Sequence, residues 1–171
     1  MPPNYQNSKK CFEPLAQLKT FTYLYIGIDP DVTKSGFAVW HKPLQKFSSI
    51  ETLTLPEMLD KLHSLRDNIA LVVVEAGWLN ASNWHLSVLP KSVKIRNPAK
   101  RAAELGVDQG RNHQRGMDIV EILEWMRIPY RLQKPSTKNS WKNDEKIFQK
   151  MTGVKGGNPE KRDAAMLVYG L

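Results

Sequence analysis

Ile69-Ala70-Leu71-Val72-Val73-Val74-Glu75 is the stretch that most narrows what this chain can fold into, an unbroken aliphatic run that ends in an acid. A strand with one face in water alternates apolar and polar residues. A continuous β-branched run is covered on both faces, so it belongs at the centre of a sheet held between helices. Packing gives no reason for such a strand to finish in Glu75, and a buried glutamate is costly unless charged partners meet it. The same ending occurs earlier, in Tyr23-Leu24-Tyr25-Ile26-Gly27-Ile28-Asp29-Pro30-Asp31. Gly27 lets another backbone or a ligand approach, and Pro30 cannot donate to a ladder, so pairing stops with Asp29 at the strand's carboxyl end. An Asp-Pro pair also starts turns on its own account. Two central strands that both end in acids favour a shared site.

The remaining elements follow from punctuation and period. Ser35 to Trp40 returns antiparallel to the first strand, and Phe47 to Leu55 alternates hydroxyl and apolar residues as a third strand ended by Pro56. Pro56 to Leu65 is a helix with Met58, Leu59, Leu62 and Leu65 on one face; His63 lies beside that stripe as an ordinary helix residue. Residues 77 to 103 carry Trp78, Trp84 and His85, then Lys91, Lys94, Arg96, Lys100 and Arg101. They read either as a loop or short helices over a cleft, contacting nucleic acid, or as a satellite core. From Asp108 to Met126 the period is helical, with Ile119, Ile122, Leu123 and Met126 on one stripe. The polar first half of that helix, with Arg111 and Arg115, is placed to face a phosphate backbone. Pro129 to Leu132 is a short final strand, followed by a helix around Trp141 to Met151. Asn158 then caps a last helix that has Pro159 at its first position and Glu160 and Asp163 three residues apart on one face. Glu160 in a first turn also complements the helix dipole. Asp163 borders residues that must be buried, and it is less easily explained that way.

Length and charge bound the rest. The 171 residues, 41% of them hydrophobic, suit one domain over 21–171 behind a loosely attached N-terminal extension, 1–20, marked by Pro2, Pro3 and Pro14. No run approaches the roughly 18 apolar residues of a membrane span, and the polar start has no secretory pattern, so a cytoplasmic location is expected. Cys11, the single cysteine, excludes an internal disulfide framework and a cysteine-rich zinc site. Residues 1 to 90 carry 8 basic and 8 acidic side chains, whereas residues 91 to 162 carry 17 basic against 8 acidic. That asymmetry suggests a polyanion-binding face, the alternative being a solvated lysine-rich surface.

Acids ending strands one and four and opening the last helix, in this order of elements, resemble the plan of the ribonuclease H-like fold. Within it the sequence is similar to the RuvC-type Holliday junction resolvases over about residues 23 to 169. The motifs are Gly27-Ile28-Asp29-Pro30-Asp31 at the end of strand one, Glu75 with Trp78 three positions on, and the pair Glu160 and Asp163 before Ala-rich helix. Asp31 stands where the family has glycine, Glu160 where Asp is usual, and the segment after Glu75 is longer. Met166 offers a rival register in which Asp163 is the first acid of the pair and the second is lost. The resemblance implies an α/β fold with a five-stranded mixed sheet and helices on both faces. It also implies an endonuclease cutting four-way DNA junctions in recombination or repair, acting as a homodimer because symmetric resolution needs two active sites.

Phosphodiester hydrolysis needs an activated water, a neutralised phosphate and a stabilised leaving oxygen, which two Mg²⁺ ions about 4 Å apart supply, with Mn²⁺ as a substitute. Hard oxygen ligands suit them, so Asp29, Glu75, Glu160 and Asp163 are the expected metal and catalytic residues. Asp29 would bridge the ions, Glu75 would hold one, and Glu160 with Asp163 the other. Trp78, Arg111, Arg115 and Lys138 are the expected nucleic-acid contacts, Trp78 by stacking on a base or wedging the junction and Lys138 by steadying the phosphate. Three other readings compete. One keeps the chemistry on structured RNA, as in ribosomal RNA maturation nucleases. A second is a non-catalytic nucleic-acid-binding module, which intact acids oppose. The third is an actin-like ATPase, which shares only Gly-Ile-Asp and needs two such domains.

Overall fold

The computed structural model describes residues 23–80, 98–136 and 139–171. The extension 1–20 lies outside these residues, as do Lys138 and the basic-aromatic group Trp84, His85, Lys91, Lys94 and Arg96. β1 (Leu24–Asp29), β2 (Ser35–His41) and β3 (Lys46–Leu53) form an antiparallel meander. β4 (Ile69–Glu75) and β5 (Tyr130–Gln133) extend it in parallel, giving the order β3-β2-β1-β4-β5. The parallel steps need long crossovers. α1 (Leu55–Leu65) precedes β4, and α2 (Pro98–Trp125) joins β4 to β5. α3 (Ser140–Asn143), α4 (Glu145–Thr152) and α5 (Pro159–Val168) follow. This mixed five-stranded sheet between helices is the ribonuclease H-like α/β fold. Among the described residues no helix is long and apolar enough to cross a membrane.

Strand parity divides the core in two. Leu24, Ile26 and Ile28 of β1 and Val72 and Val74 of β4 pack with Met58 and Leu62 of α1 and with Ile119 and Leu123 of α2. On the other face, Ala38 joins Phe148, Ala164 and Ala165, and Trp40 and Val73 join Leu167 and Val168. Alternation along a strand therefore sends Gly27 and Asp29 of β1, and Val73 and Glu75 of β4, to the face that α5 covers. Gly27 pairs with Val73 and Ile28 with Val74, so the next step of the register sets Asp29 beside Glu75.

α5 lies against this face at a distance that only glycine permits. A Cβ on Gly27 would come within 1.9 Å of the Ala164 carbonyl oxygen, and one on Gly36 within 2.1 Å of that of Glu160. The contact fixes how far along the sheet each residue of α5 falls.

Local chemistry moved several boundaries. Thr54 caps α1, and Glu57 returns to the Thr54 backbone N–H at 2.7 Å, so the helix begins at Leu55, ahead of Pro56. α2 starts ten residues before the Asp108 start read from the sequence, through helix-favouring Ala102 and Ala103 that the neighbouring basic charges obscured. The helix expected around Trp141 is two: Asp144 accepts from the backbone N–H groups of Lys146 and Ile147, capping α4 and ending α3 after one turn.

Two glycine substitutions separate these effects. Gly27→Ala should lower unfolding stability by about 3 kcal/mol or more, because backbone, not a flexible side-chain end, must yield. Gly106→Ala, in α2 with open space around it, should raise stability by roughly 0.5–1 kcal/mol. Urea unfolding of both variants checks the pair.

Candidate active site

Three carboxylates converge at the carboxyl ends of the two central strands. Asp29, Glu75 and Asp163 each bring an oxygen within 4.8 Å of the others. The first two arrive by strand register. α5 carries the third, held against the sheet by the glycine contacts above. Asp29 and Asp163 are nearly buried, at 8% and 7% exposure.

Burial, the nearby Glu75 charge and a hydrogen bond shared with Glu75 push the Asp29 carboxyl up to about 9. Burial also raises Glu75, against the hydrogen bond from Asp29 and with the Asp163 charge adding to the rise. At neutral pH the Asp29 carboxyl therefore keeps its proton, held against Glu75.

Asp163 is stabilised differently. Its Oδ1 accepts from Trp141 Nε1 at 3.2 Å, and its Oδ2 forms an ion pair with the Lys142 ammonium. Burial pulls the Lys142 pKa down, but contact with Asp163 and the charges of Asp29 and Glu75 leave it above the ordinary lysine value. Arg162, buried next to Asp163 in sequence, donates its Nε to the Lys142 carbonyl at 3.1 Å, while its Nη1 reaches the Gly157 carbonyl. α3 is thereby tied to α5, and the ammonium is held over the acids.

Above the acids opens a depression of about 300 Å³, floored by Asp29, Glu75 and Lys142 and walled by Trp78, Asn112 and His113. Asn112 Oδ1 accepts from the Val32 N–H at 3.0 Å, and Arg115 Nη2 donates to the Val32 carbonyl at 3.1 Å. α2 thus grips both backbone groups of one residue in the β1–β2 turn. The donor chemistry fits a hard divalent cation, since the oxygens that converge come from three carboxylates.

The residues expected from sequence fall into distinct places. Asp29, Glu75 and Asp163 come together. Glu160 lines a separate depression with Asp31, Lys34, Thr52 and Asn158, while Met166 borders a pocket that Glu75 and Asp163 share. Of the last-helix pair, Asp163 lies with Asp29 and Glu75, and Glu160 lies apart from them. Trp78 is half-buried, with its ring seated on Gly116 and edge-on to His113, so it forms a wall of the depression. Arg111 is exposed on α2, and Arg115 is engaged with the turn. Lys142 and Trp141 were missed, and His113 was covered only within the polar first half of α2 expected to face a phosphate backbone. The only signal for the first two was an aromatic-basic pair in a helix, which carries no pointer to Asp163.

No family model matches the sequence, and no curated protein matches it. Among solved structures, the chain is similar to Thermus thermophilus RuvC in complex with Holliday junction substrate, at 15% identity and a TM-score of 0.48 over 86% of this chain and 90% of that one. It is likewise similar to the Thermus thermophilus RuvC structure, at 13% identity and a TM-score of 0.46 over 85% and 90%.

The raised Asp29 carboxyl sets a pH dependence. Its folded value, about 9, lies above its ordinary 3.8, so between those values the folded protein holds a proton that the unfolded chain releases. Metal-free stability should therefore fall as pH rises through that window, by at most about 1.4 kcal/mol per pH unit for one proton. In EDTA the melting temperature should drop from pH 5 to pH 8.5. Asp29→Asn should flatten the drop and stabilise the protein at pH 8.5.

Proposed function

We propose that this protein is a metal-dependent endonuclease of nucleic-acid phosphodiesters, acting on four-way DNA junctions. The observation that carries the reading is the meeting of Asp29, Glu75 and Asp163 with the Lys142 ammonium, beneath an open depression floored by Asp29, Glu75 and Lys142. A divalent cation there, Mg²⁺ or Mn²⁺ in its place, would neutralise the phosphate and lower the pKa of a bound water. Asp29 and Glu75 would hold such an ion through adjacent oxygens from a rigid sheet, with the Asp29 proton released to solvent as it binds. Asp163 is held in orientation by Trp141, and Lys142 adds a positive charge on the side where a phosphodiester enters. Trp78, Asn112 and His113 shape the wall along which a nucleotide lies.

The excess of basic residues after position 90 supports a polyanionic substrate. The junction as substrate rests on the sequence motifs around Asp29, Glu75 and Trp78. A homodimer supplies the two active sites that paired nicks require, and the exposed Val107, Met117 and Trp125 on α2 offer apolar surface for a partner.

Incubation with a synthetic four-way junction, a matched duplex and a structured RNA, in Mg²⁺, Mn²⁺ or EDTA, tests the reading. Paired, metal-dependent nicks confined to the junction are expected. Cleavage of RNA alone would move the substrate to structured RNA, and binding without cleavage in any metal would sink the catalytic reading. Asp29→Asn, Glu75→Gln and Asp163→Asn should each lower cleavage by about a thousandfold or more while retaining junction binding. Glu160→Gln should stay within about tenfold of wild type.

A further inference from the structure

We infer that Lys142 is the site's built-in second cation, so that the Asp29, Glu75 and Asp163 cluster takes one divalent ion per chain. The inference rests on the metal-binding reading above and concerns how many ions that site accepts. Three observations support it. Both oxygens of Asp163 already have partners, Oδ1 in the Trp141 indole N–H and Oδ2 in the Lys142 ammonium. A second ion on Asp163 would have to displace a lysine whose backbone Arg162 clamps to the same helix. The fourth acid that a second ion would need is turned elsewhere: Glu160 faces the depression around Asp31 and Lys34, and Met166 occupies the next turn beside Asp163.

Charge balance points the same way. Three carboxylates are neutralised by one divalent ion and one ammonium. In the protein alone, a second divalent ion would leave two positive charges in excess beside the buried Asp29 and Asp163, at an electrostatic cost. The Asp29–Glu75 pair is where the ion belongs, since among the described residues neither carboxyl forms an ion pair, whereas Asp163 does, and the two share a hydrogen bond.

Counting bound Mn²⁺ by electron paramagnetic resonance tests this, in protein alone and with added four-way junction. Wild type should hold one ion per chain in both cases, and two in either would overturn the inference while leaving the metal site standing. No bound ion at all would overturn both. Lys142→Met should admit a second Mn²⁺, or bind the first more than about tenfold tighter once the like charge is gone. Lys142→Arg should return to one ion. A Lys142→Met protein that melts cooperatively yet binds Mn²⁺ as wild type does would also overturn it.

Discussion

The bare backbone contact between β1–β2 and α5 is the constraint on which the rest of the structure depends. Gly27 and Gly36 bring helix carbonyls to within a distance no side chain would leave. That closeness sets Asp163 level with the strand ends, and Ala164 and Ala165 keep the same interface thin with small side chains. A larger residue anywhere along this seam would lift the helix and carry its carboxylate away from the other two. The packing of one layer and the geometry of the site are therefore one requirement.

Much of this was legible in the sequence because it follows from period and parity. An unbroken aliphatic run such as Ile69 to Val74 needs cover on both faces. Acids at the ends of two such strands share a face when their register is in step, and that register is what β1 and β4 adopt. Asp163 stood out because it bordered residues that must be buried. Glu160 could not be settled the same way: residues three apart on a helix are offset by about a sixth of a turn, enough at this seam to send one side chain toward the β1–β2 turn and Thr52 and the other to the strand ends. Lys142 was beyond reach because its place depends on Arg162 holding α3 to α5, a contact between segments whose spacing carries no periodic signal.

Charge counting from the sequence overstates how many cations are available to a partner. Arg162 and Lys142 face inward to carbonyls and carboxylates, and Arg115 holds a turn. These cations organise the site's surroundings before any remain for a partner. Arg111, exposed on α2, belongs to the surface share. Net charge identifies a class of ligand, whereas burial decides which side chains meet it.

The distribution of the three acids along the chain also shapes how the protein folds. Asp29 sits in a hairpin that closes locally, Glu75 arrives through a parallel pairing after a crossover, and Asp163 comes only when the last helix docks onto the first strand. Contacts between such distant segments must overcome loop-closure entropy before they contribute, so they form late. No early fragment holds the complete trio, and the helix that completes it docks at the Gly27 seam. A ligand that needs all three acids at once would therefore bind only the finished fold, and its binding would report that folding is complete.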